Sequence, residues 1–74
     1  MQVTLKLVGV FCIGRFKEER RSFPEMTTLR DIINDLGISL PLLGIILING
    51  SHAGIDDQIR EGDTITLLPL IDGG

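Results

Sequence analysis

The chain is poor in the residues that specialised chemistry draws on. Its single cysteine, Cys12, is one residue among 74. It permits no internal disulfide and no cysteine-based metal cluster, and it suits a reducing, cytoplasmic setting. Tryptophan and tyrosine are absent, and the three phenylalanines, Phe11, Phe16 and Phe23, offer no stacking platform for nucleobases. The sole histidine, His52, has no second histidine or cysteine at ligand spacing, so no metal site is expected. Lysine and arginine number 7 against 10 acidic residues, for a net charge of −3. Nucleic acid is therefore not an expected partner, because phosphate binding relies on clustered positive charge. The one basic concentration, Arg15, Lys17, Arg20 and Arg21, is interrupted by Glu18 and Glu19 and reads as a solvated rim of mixed sign, with a docking patch for an acidic surface as the alternative. Long apolar runs are missing too. Leu40 to Ile48 is broken by Pro41 and Gly44, well short of the roughly 18 residues that cross a bilayer. Met1 to Lys6 alternates polar and apolar residues and builds no signal-peptide block. No membrane association is expected.

What remains is enough for one small domain spanning 1–74. The chain is 43% hydrophobic and 23% charged, which opposes disorder. A domain of this size buries only about 60% of its unfolded surface, leaving little room for an internal active-site cavity.

Val3, Leu5 and Leu7 recur at period two and predict a half-buried strand. Gly9 and Gly14 bracket an irregular turn, after which Glu19 to Phe23 is expected to return as a second strand ending at Pro24. Thr28 with Asp31 three residues later approximates a capping box. Leu29, Ile32, Ile33 and Leu36 then form one apolar helical stripe, closed by Gly37 as a left-handed C′ residue. Ile45 to Ile48 does not alternate and predicts a strand covered on both faces. Asn49-Gly50 is a tight-turn pair, leading to a short return strand over Ser51 to Ala53. Glu61-Gly62-Asp63 is a further turn before a last strand, Thr64 to Leu68, ended by Pro69. The expected fold class is α+β. A ββαββ order with one helix across a mixed sheet of four to five strands is the ubiquitin-like β-grasp, its first and last strands parallel at the centre.

Candidate chemistry inside the domain is thin. Cys12 sits among Val10, Phe11 and Ile13, where a thiol acts as a small hydrophobe. Asp56 and Asp57 could be paired carboxylates, but the expectation is that they cap a turn before Ile59. No Walker-type phosphate loop occurs. Self-contained catalysis is not expected.

The stretch Ile48-Asn49-Gly50, then Ile59 to Thr66, then Pro69 and the terminal Gly73-Gly74, resembles the sulfur-carrier proteins of the MoaD and ThiS families. The resemblance covers the whole chain in length and element order. It implies a protein that supplies sulfur for the molybdenum cofactor or for the thiamin thiazole ring. It implies that the Gly74 carboxylate, ionised at neutral pH, is adenylated at the expense of ATP by an E1-like adenylyltransferase. A sulfur donor then converts it to a thiocarboxylate for a sulfur-accepting synthase, either a molybdopterin synthase large subunit or a thiazole synthase. Gly73 would thread a channel too narrow for a Cβ. No bound cofactor or metal is implied, since ATP is used by the activating enzyme.

The segment 70–74 is expected to be a flexible tail, five residues beyond Pro69 reaching roughly 17 Å when extended. Leu68, Pro69, Leu70, Ile71 and Asp72 are the candidate partner-binding residues. Two readings stay open for the apolar ones: a partner surface covers them, or they pack on this domain's own sheet edge. Leu68-Pro69-Leu70 is closer to the proline-containing ends of MoaD-like proteins than to ThiS-like ends. Asp72 departs from the small residue that family members often carry before the diglycine. Two other functions share these features: a ubiquitin-like modifier conjugated through Gly74, and a passive β-grasp interaction module.

Overall fold

A computed structural model of the chain describes residues 1–70; Ile71, Asp72, Gly73 and Gly74 lie outside the described residues. Strand β1, Gln2–Leu7, places Val3, Leu5 and Leu7 in the core at 2%, 0% and 3% exposure. Its period-two pattern thus puts one face of the strand in the core. Strand β2 runs over Glu18–Ser22, one residue earlier at each end than expected, and pairs antiparallel with β1 from Gln2↔Ser22 to Lys6↔Glu18. The connection contains a 3-10 turn, Gly9–Cys12, that drops Phe11 into the core. Gly9 and Gly14 both adopt positive φ, at 61° and 72°.

Helix α1 is only seven residues, Leu29–Asp35, too short to persist alone. Its termini explain why it holds here. Thr28 Oγ1 accepts from the Asp31 N–H at 3.3 Å while Asp31 Oδ2 accepts from the Thr28 N–H at 3.1 Å, a complete capping box. The two remaining first-turn donors are taken by a distant loop, Leu29 N–H by the Asp57 carbonyl at 3.0 Å and Arg30 N–H by the Ile55 carbonyl at 2.7 Å. At the other end Gly37 lies at φ 71°. The Ile38 N–H reaches the Ile33 carbonyl and the Gly37 N–H the Asn34 carbonyl, both at 3.1 Å, which is a full Schellman closure. Leu29, Ile32 and Ile33 are each fully buried, and Leu36 is the half-buried C-cap.

The sheet has five strands in the order β2-β1-β5-β3-β4, with β3 at Leu43–Ile48, β4 at Ser51–His52 and β5 at Thr64–Pro69. Strands β1 and β5 are parallel neighbours in register from Thr4↔Thr64 to Leu7↔Leu67. The fold is the ubiquitin-like β-grasp, as the order of elements implied. Asn49 and Gly50 take φ 52° and 84°, the left-handed pair that a tight hairpin needs. Ala53, expected within the return strand, lies just past it but still donates its N–H to Ile46 at 3.0 Å. A second 3-10 turn, Leu40–Leu42, precedes β3 and carries Pro41 in its first turn.

Two expectations need correction. Strand β3 is not covered on both faces. Ile46 is buried at 6% exposure while its neighbour Ile45 is exposed at 41%, because α1 covers one side of the sheet only. An unbroken apolar run had concealed a strand with one solvent face. Pro69 does not stand beyond the last strand; it is that strand's final residue, paired with Leu43.

The capping box yields a first prediction. Thr28→Ala should lower unfolding free energy by about 1 kcal/mol, shifting the thermal midpoint down by roughly 4–8 °C for a domain of this size. Calorimetry on the two proteins measures it.

Candidate functional site

Strand β5 has two faces with different work. Ile65 and Leu67 are fully buried under the helix. Thr64, Thr66 and Leu68 alternate with them and therefore face the other side of the sheet. Pairing extends that outer face across the neighbouring strands, since residues opposite one another share a side. Leu68 lies opposite Ile45, Thr66 opposite Leu47, and Leu47 opposite His52. On the other flank Thr66 lies beside Lys6, and Lys6 opposite Glu18, with 4.0 Å between Nζ and Oε1. The outer face thus grades from charged, over β2 and β1, to apolar, over β3 and the end of β5. A depression of about 330 Å³ lined by Leu40, Leu43, Ile45, Ile46, Ala53 and Ile55 borders the apolar half.

The root of the tail sits at one end of this face. Leu70 donates its N–H to the Leu42 carbonyl at 2.7 Å, so one residue past β5 the main chain is bonded to the 3-10 turn that precedes β3. Its side chain is 63% exposed, and that of Leu42 is 56% exposed. The two readings left open for the apolar tail residues therefore divide within one residue. The backbone of Leu70 is bonded to the turn before β3, while its side chain is left to solvent. Leu68 is half-buried on the outer face. Ile71, Asp72, Gly73 and Gly74, the remaining candidates, fall outside the described residues.

The other candidate groups are occupied structurally. Cys12 is half-buried against the core and donates its thiol to the Leu7 carbonyl at 2.8 Å. Asp57 Oδ2 accepts the Gly54 N–H at 2.9 Å and so caps the turn, as expected; Asp56 pairs with Arg30 at 3.2 Å. Among the described residues no three His, Cys, Asp or Glu side chains converge as a metal site would require. No helix among them is long and apolar enough to cross a membrane.

The basic cluster is more than a solvated rim. Arg15 donates from Nε to the Leu36 carbonyl at 2.9 Å and from a terminal nitrogen to the Gly37 carbonyl at 3.2 Å. It satisfies carbonyls at the helix C-terminus, where a cation is favoured. Arg21 bonds Glu19 at 2.7 Å, reaches Asp35 at 3.4 Å, and lies 5.2 Å from the centroid of Phe16.

Ile45, Leu47 and His52 were missed as candidates for the outer face. Their signal was the period-two spacing of 45 and 47, masked by Ile46 and Ile48 between them.

A five-stranded sheet gripping one helix, with its last strand central and parallel to its first, defines a ubiquitin-like β-grasp domain. A family model described as Mut7-C ubiquitin matches residues 13–72, and the chain belongs to that ubiquitin-like family. Solved structures agree on the fold. Small archaeal modifier protein 1 of Haloferax volcanii superposes with a TM-score of 0.76 at 18% identity, over 95% of this chain and 98% of that one. A putative molybdopterin converting factor subunit 1 from Pyrococcus furiosus gives 0.78 at 20% identity, over 96% and 99%. A complex of subunits 1 and 2 of molybdopterin-converting factor from Helicobacter pylori gives 0.67 at 23% identity, over 100% of both chains.

The face assignment can be checked on adjacent residues. Ile45→Ala should change unfolding free energy by less than about 1 kcal/mol, whereas Ile46→Ala should cost about 2–5 kcal/mol. Denaturant titration of both variants compares them directly.

Proposed function

We propose that this chain is a sulfur carrier, a protein co-substrate whose reactive group is the carboxylate of Gly74. The observation that supports the reading is the course of β5 up to Leu70 within the β-grasp. The central strand of a β-grasp delivers Pro69, paired with Leu43, and then Leu70, bonded to the turn before β3.

In this reading an E1-like adenylyltransferase receives the tail. The Gly74 carboxylate oxygen attacks the α-phosphorus of ATP, pyrophosphate leaves, and an acyl adenylate forms. A sulfide-equivalent nucleophile from a sulfur donor then adds at the activated carbonyl carbon. AMP leaves with the carboxyl oxygen that attacked, and Gly74 becomes a thiocarboxylate able to pass sulfur to an accepting synthase. Gly73 lets the main chain enter a channel that a Cβ would obstruct. Leu68, Ile45 and Leu47 form the apolar surface that a partner would cover, and the exposed Leu70 side chain extends it toward the tail. The Helicobacter pylori relative, solved as a complex of subunits 1 and 2, supports an accepting-synthase subunit as one such partner. Molybdopterin synthesis is favoured over thiazole synthesis by this relative and by the proline at position 69.

A second reading has its own support in the similarity to small archaeal modifier protein 1: conjugation of Gly74 to lysines of target proteins. Activation is common to both, and the acceptor differs.

Intact mass decides between them. Incubation with the E1-like enzyme of the same organism, ATP and a sulfur source should add ~16 Da, one oxygen exchanged for sulfur on the acyl adenylate route. Deleting Gly73 and Gly74 should abolish the gain without altering the circular dichroism spectrum. An unchanged mass for the wild type under these conditions sinks the carrier reading. Slower-migrating adducts that survive thiol reductant in a denaturing gel establish the modifier instead.

A further inference from the structure

The register of β3 against β5 slips at one place. Ile45 pairs with Leu68 and Leu43 with Pro69, leaving Gly44 as an extra residue on β3, a bulge. Pro69 has no N–H to contribute to the ladder. The next donor, Leu70 N–H, takes the Leu42 carbonyl at 2.7 Å across the bulge. The backbones approach so closely here that a Cβ on Gly44 would lie 2.8 Å from the Pro69 oxygen and 2.9 Å from both the nitrogen and the Cα of Leu70. All three are main-chain atoms, so no side-chain rotation could relieve the contact. On the opposite side Val8 N–H bonds the Leu67 carbonyl at 3.1 Å, and the chain then turns away at Gly9, φ 61°. A Cβ on Gly9 would stand 3.2 Å from Pro69 Cγ.

We infer that Gly44 and Gly9 are positioning residues that hold Pro69 between β3 and the turn after β1, tie Leu70 to the turn before β3, and so set the direction of the main chain at Leu70. The inference rests on the carrier reading and deepens it. On that reading direction matters because only four positions separate Leu70 from the reacting Gly74. Counted from Leu70, four residues reach at most about 14 Å, against the roughly 17 Å expected from Pro69. A tether this short supplies a high effective concentration when it points at its target, and almost none when it cannot span the gap. A long linker would forgive a wrong exit angle; four residues do not. Gly44 therefore tunes the reactivity of Gly74 without touching any reacting atom.

The test uses the full chain. In the wild type the Leu70 amide should exchange with deuterium at least tenfold more slowly than in an unstructured peptide. In Gly44→Ala its exchange should accelerate at least tenfold while the Leu5 and Ile65 amides stay protected. Adenylation by the E1-like enzyme, followed as ATP–pyrophosphate exchange, should fall at least tenfold in kcat/KM for Gly44→Ala. Inserting two glycines between Leu70 and Ile71 should recover at least threefold in that variant and give no gain in the wild type, a rescue that a merely structural defect would not show. An unprotected Leu70 amide in the wild type overturns the inference, and this measurement stands even if Gly44→Ala fails to fold. Equal adenylation of the two proteins, or absence of rescue, overturns it as well. Failure of the wild type to be adenylated at all sinks the carrier reading instead, and the exchange rates still judge the clamp.

Discussion

The parallel pairing of β1 with β5 is the constraint on which the rest of the molecule depends. Strands from the two ends of the sequence lie side by side, with Leu5, Leu7, Ile65 and Leu67 all buried on one face. Parallel neighbours cannot be joined by a tight turn, so everything between them has to serve as the crossover. The helix is that crossover's cover, and its stripe of Leu29, Ile32 and Ile33 closes over the central strands. Full burial of such side chains contributes roughly 1.5–3 kcal/mol each, and the central pair is where that burial is densest. The strand that carries Pro69 is the third of five, paired with β1 as far as Leu67 and with β3 as far as Pro69.

The short helix shows how a small domain substitutes non-local support for length. Seven residues leave few internal hydrogen bonds. Its unpaired donors are met by carbonyls at 55 and 57, and its C-terminal carbonyls by the side chain of Arg15. These two segments lie on either side of the helix in sequence and are themselves ordered by those contacts. The helix is therefore stable because the sheet connections close around it, and the connections are ordered because the helix is there.

The uncovered face of the sheet is divided along the strand order. Charged residues occupy the β2 and β1 side, where Lys6, Glu18 and Arg20 share the surface, and apolar residues the β3 and β5 side. A charged edge on β2 discourages pairing with other sheets. The apolar half, adjoining the exposed Leu42 and Leu70, is the part with surface still to bury. The same sheet thus resists indiscriminate association at one edge and offers a contact surface beside the tail.

Local patterns determined much of this by themselves. The period of β1, the capping box at Thr28 and Asp31, the Gly37 closure and the Asn49-Gly50 turn all act over a few residues, and each is visible in the chain because its physics is equally local. What sequence could not carry was everything set by one strand's position against another. Whether Ile45 is buried depends on the side of the sheet that α1 occupies, and an apolar run looks alike in either case. The role of Arg15 depends on a helix end more than twenty residues away. The demand for glycine at position 44 exists only because β5 comes to lie within 3 Å of where its side chain would be. Such requirements arise from contacts between distant segments, and only the folded molecule brings those segments together.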